Sequence, residues 1–170
     1  MTKSRVASLL EKISKIVPGV AGYQDRERRR DADKAVRNKI VASLTRCRHR
    51  LSNGMSDISR AGGRGSLSAV GNLERVNTRL ERIEDEIRYA PHGYAGWFDR
   101  EGVALEDLER LYEHDLSLLE IAERMVELVG PVEALGSERD WMQDLGRELE
   151  ALRQALDNRM SVIRGGEEPR

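Results

Sequence analysis

Between its prolines and its glycine clusters, the chain places apolar residues at alternating steps of three and four. Leu73, Val76, Leu80, Ile83 and Ile87 form the cleanest run. That spacing puts the side chains on one narrow stripe of an α-helix, and such a stripe is buried only by packing against other helices. The rhythm recurs in Val36, Ile40, Leu44, Cys47, Leu51, Met55 and Ile58, and in Leu105, Leu108, Leu111, Leu118, Leu119, Ala122, Met125 and Val129. It returns in Met142, Leu145, Leu149, Leu152, Leu156, Met160 and Ile163. A shorter stripe, Val6, Leu9, Leu10, Ile13, Ile16 and Val17, comes first. Pro18, Pro91, Pro131 and Pro169 fall where these patterns stop, because proline lacks the N–H an interior helical turn needs. The spacing therefore predicts helices over 2–17, 25–60, 66–89, 104–129 and 137–164.

Ala, Glu, Lys, Leu and Arg supply 81 of the 170 residues, a share typical of long helices and coiled coils. The expected fold is all-α: an elongated antiparallel four-helix bundle or coiled coil over 20–164. An amphipathic helix (1–19) precedes it and a flexible tail (165–170) follows. Short connections near 62–65 and 130–136 favour antiparallel neighbours. One pole then gathers the start of the second helix, the end of the third, the start of the fourth and the end of the fifth.

A lone cysteine, Cys47, excludes a disulfide framework and suits a reducing compartment. The N-terminal apolar stretch is broken by Glu11, Lys12 and Lys15, which argues against a secretory leader, and no apolar run reaches membrane-spanning length. A soluble cytoplasmic protein is expected. The net charge of −1 hides a polarity, since residues 1–60 carry +9 and the remainder −10. The second helix is +6 and the fourth −6, so packing these two together would neutralise much of the asymmetry internally.

Three segments stand out. The first helix is basic and amphipathic, with Lys3, Arg5, Lys12 and Lys15 beside an apolar face of Leu9, Leu10, Ile13 and Ile16. It fits docking on the bundle or on a second copy; the alternative is an anionic membrane surface, such as the inner membrane face, although the helix has no aromatic anchor. Next, Tyr23, Arg28, Arg29, Arg30 and Asp33 lie where the second helix begins. Arginines in a first turn oppose the helix dipole, so they call for partners. Asp99, Glu101, Glu106 and Asp107 at the same pole are the candidates. An RNA- or phosphate-binding role for these arginines is weaker, because acids interleave with them and only Tyr23 offers a stacking surface. Third, Tyr89, His92, Tyr94, Trp97, Phe98 and Asp99 crowd the connection between the third and fourth helices, which holds four of the seven aromatic residues. They form either a plug for the bundle pole or a recognition surface.

The segment 18–33, Pro-Gly-x-x-Gly-Tyr-x-x-(Lys/Arg)-Glu-x-Arg-Arg-x-Ala-Asp, and the segment 88–99, Arg-Tyr-Ala-x-x-Gly-Tyr-(Ala/Ser)-Gly-x-Phe-Asp, are followed by an acidic helix at 105–115. Together they resemble a family of uncharacterised bacterial all-helical proteins. The resemblance implies that the two segments belong together; it implies no activity.

Catalytic patterns are wanting. Cys47 and His49 are two apart and so lie on different helix faces. Glu109, Glu113, His114 and Asp115 lack the Glu-x-x-His pairs a di-iron bundle requires. No Walker loop, H-E-x-x-H or G-x-S-x-G occurs. The expectation is a non-enzymatic interaction or scaffold protein, without cofactor or metal. It would use the pole formed by Tyr23–Asp33 and Tyr89–Asp99 to meet a protein partner or a second copy.

Overall fold

The computed structural model describes residues 2–20, 26–90, 97, 103–130 and 140–165; the side chains of 2–4, 26–29 and 140 lie outside that description. Among the described residues the chain is all-helical. The long helices are α1 (Thr2–Ile16), α2 (Arg26–Ala61), α3 (Ser66–Tyr89), α4 (Leu105–Leu128) and α5 (Asp140–Ile163). Their apolar stripes meet in one core that includes Val36, Ile40, Leu44, Leu73, Leu80, Leu119, Met125, Leu149 and Leu152.

α2 packs on α3, α4 packs on α5, α2 also packs on α4, and α3 meets α5 more sparsely. Side-chain pairings follow these contacts. Arg37 reaches the Ile87 carbonyl, Thr45 meets Glu84 and Arg48 meets Glu81, so numbers fall along α3 as they rise along α2. Asp115 meets Arg159 and Arg124 meets Glu148 in the same opposed manner. Between α2 and α3 the chain reverses through Gly62, Gly63 and Gly65, all at positive φ. That backbone region is costly for residues with a Cβ and accounts for glycine at all three positions.

The basic α2 does lie against the acidic α4. Lys39 and Arg46 bond Glu123 at 3.0 Å each, and the Ser43 hydroxyl donates to the same carboxylate at 2.7 Å. Arg50 donates to the carbonyls of Val126 and, at 3.2 Å, Val129. Those carbonyls end α4, where no further turn supplies N–H donors and where the helix dipole favours a cation.

α1 packs on α4. Ile13 is fully buried, and Val17 and Val20 join the same core, while Val6, Leu9, Leu10 and Ile16 are partly covered against it. Arg5 bridges two α4 carboxylates one turn apart, Glu109 at 2.9 Å and Glu113 at 2.5 Å. Side by side those carboxylates repel, and the guanidinium between them relieves this.

Candidate functional site

At the level where α2 begins and α5 ends, the core between the helices is ionic. Arg159 of α5, 2% exposed, donates from Nε to Asp115 of α4 at 2.6 Å and from Nη2 to Asp33 of α2 at 2.5 Å. The second oxygen of Asp33 accepts from Arg37 Nε at 2.7 Å, one helical turn on. Arg37 also donates from Nη1 toward the Ile87 carbonyl, 3.4 Å away in the last turn of α3. Asp115 is wholly buried, and Asp33 and Arg37 nearly so. Two arginines and two aspartates make the group formally neutral. That is the condition under which charges persist away from water.

The neighbouring residues tune this layer without opening it. Burial pulls His114 below the usual imidazole range, outweighing the opposing pull of the Asp115 and Glu113 carboxylates, and the Arg159 cation adds a smaller push in the same downward direction. Trp97, 4% exposed, is packed in the core, whereas Tyr89 at the end of α3 is 69% exposed. Of its described members, the aromatic segment thus has one inside the protein and one facing solvent.

Of the residues the sequence nominated for the pole, Asp33 is structural, locked between two arginines. Arg30 is exposed on α2. Tyr23, His92, Tyr94, Phe98 and Asp99 lie outside the described residues, as do the side chains of Arg28 and Arg29. The proposed partners of those arginines therefore fall outside the description in part; Glu106 is exposed and Asp107 half-buried at the start of α4. Of the nominated membrane face, Ile13 is buried, Leu9, Leu10 and Ile16 are half-buried, and Lys12 and Lys15 are exposed; the Lys3 side chain is outside the description. Arg5 is held by α4, and Lys15 pairs with Glu11 at 2.9 Å.

Sequence reasoning missed Arg37, Asp115, Arg159 and the buried Glu84. The signal was present. In α5 the steps 145, 149, 152, 156, 159, 163 put Arg159 in a seam position, and in α4 the steps 108, 111, 115, 118, 122 do the same for Asp115. Glu84 anchors a second polar group, accepting from Thr45 at 2.9 Å, from Arg48 at 3.1 Å and from Arg88.

Surface clefts occur among the described residues. One of about 530 Å³ lies between the end of α4 and the start of α5, lined by Arg124, Glu127, Leu128, Asp144, Arg147 and Glu148. Its cations are spoken for, since Arg124 pairs with Glu148 and Arg147 with Asp144. A smaller one of about 280 Å³ sits over Thr45, Arg48, His49, Ser52 and Asn53, and Arg48 there is held by Glu81 and Glu84. Cys47 faces the core toward the Met125 carbonyl, and burial pushes its thiol up to about 12. Among the described residues no group of three or more His, Cys, Asp and Glu is placed to hold a metal ion. No described helix is long and apolar enough to cross a membrane. Comparison with models of protein families, with curated proteins and with solved structures finds no match.

Proposed function

We propose that this chain is a non-enzymatic interaction or scaffold protein, an elongated antiparallel four-helix bundle preceded by a docked amphipathic helix. Its aromatic and arginine-rich pole is the contact surface for a protein partner or a second copy, and the setting is the cytoplasm. The opposed residue pairings of α2 with α3 and of α4 with α5 support the bundle. The observation that carries the contact surface is Tyr89. It is a large aromatic left 69% exposed two residues beyond Ile87, whose carbonyl is tied to the buried ionic layer. An aromatic on a rigid base loses little entropy when a partner covers it, which is why such residues dominate binding energy. The likeness to the bacterial helical family, which unites the two pole segments, belongs to the same reading.

The test is substitution. Tyr89→Ala and Tyr94→Ala are expected to abolish partner capture or self-association while the far-ultraviolet circular dichroism stays helical. Retained capture, or loss of helicity, sinks the reading.

The rival is a peripheral protein held at an anionic membrane surface by the face Leu9, Leu10, Ile13 and Ile16. The half-exposed N-terminal part of the α1 stripe favours it, and the burial of Ile13 and the engagement of Arg5 weigh against it. Flotation with anionic vesicles, but not neutral ones, that is lost on deleting 1–19 would establish it. Nucleic-acid or phosphate binding through Arg28, Arg29 and Arg30 is the third reading. It requires a steep salt dependence that lessens when those arginines are neutralised.

A further inference from the structure

We infer that the buried group Asp33, Arg37, Asp115 and Arg159 is a register lock, the feature that selects one axial alignment of the helices from several that the apolar seams alone would accept. The seams are nearly self-similar. Sliding α5 by one heptad, about 10.5 Å along its axis, puts Leu152 in place of Leu145 and Leu156 in place of Leu149, so apolar layers still meet apolar layers. The ionic layer does not survive the same slide. Seven residues either side of Arg159 stand Leu152 and Gly166; either side of Asp115 stand Leu108 and Ala122. A slipped α5 would carry Arg159 out of the layer and put a leucine or a glycine in its place, leaving the two buried carboxylates with Arg37 as the one remaining cation of the four-residue group.

The reach of Arg159 makes the lock effective. Asp33 belongs to α2, which is not a close packing neighbour of α5, so the side chain crosses the bundle centre. One guanidinium fixes α5 against α4 and α2 together, and through Arg37 the end of α3 is held at the same level. A single polar position that sets alignment at the expense of stability is an established use of buried polar groups in helical assemblies.

The test replaces the whole layer at once: D33L/R37M/D115L/R159M in the full chain, with Cys47→Ala and spin labels at the exposed positions Glu120 and Ser161. The parent labelled protein is expected to give one narrow interspin distance. The apolar variant is expected to stay helical and to show at least one added population displaced by up to about 10 Å. A variant that folds with the parent's single distance overturns the proposal, because the apolar seams would then suffice. A variant that no longer folds also overturns it, because the charges would then be supplying stability and not alignment.

Discussion

Arg159 occupies a position where the neighbouring turns of α5 place leucine, and its two carboxylate partners come from two different helices. Taking these charges out of water is costly, and their contacts with one another offset it, so truncating one partner is far worse than never having had the group. Arg159→Met alone leaves two buried aspartates with Arg37 as the one remaining cation of the group, and urea unfolding should show a loss of about 3–5 kcal/mol. Beside this layer, His114 gives the protein an acid-sensitive edge. Its folded pKa lies below the unfolded value near 6.5, so its contribution is intact above that pH and is lost as pH falls through the folded value. His114→Asn should therefore flatten the decline of melting temperature between about pH 7 and 5; an unchanged slope would assign that decline to other groups. Cys47, with its thiol pushed up to about 12, should resist a thiol reagent at pH 8 until denaturant unfolds the chain.

Among the helices, α1 joins its neighbours by two unequal means. Ile13 is fully buried, and Ile13→Ala should cost about 2–5 kcal/mol in urea unfolding. The Arg5 bridge to Glu109 and Glu113 is two-thirds exposed on the arginine side, so Arg5→Ala should cost less than about 1 kcal/mol and fade further with salt. The helices themselves were legible in the sequence, because seam spacing and proline breaks are local, and the described ends agree to within a residue, apart from the starts of α2 and α5, which border residues outside the description. The pairing of α2 with α4 was legible too, from charge summed over each helix. The ionic layer was not. A reading that collects only apolar residues passes from Leu111 to Leu118 and from Leu156 to Met160, stepping over Asp115 and Arg159. Their burial depends on partners 44 and 126 residues away in sequence, which periodicity does not supply.

For the molecule as a whole, described cations of the basic half pair with carboxylates of the acidic half. α2 cations lie on α4 and α3 carboxylates, and an α2 arginine caps the end of α4. On the proposed reading, a partner meets the pole above the ionic layer, where Tyr89 is exposed and Trp97 is buried. Tyr89→Ala should leave stability within about 0.5 kcal/mol of the parent, whereas Trp97→Ala should cost about 3–5 kcal/mol. The most direct test of the pole as the contact surface is site-specific photo-crosslinking of the full chain in cell extract. A benzophenone side chain would stand at Tyr89 and, in a parallel protein, at Leu67, which is 86% exposed beside the glycine turn joining α2 and α3. A discrete adduct from position 89, absent from position 67 and removed by excess unlabelled protein, is the predicted result. Equal adducts from both positions, or none from position 89, would contradict the account.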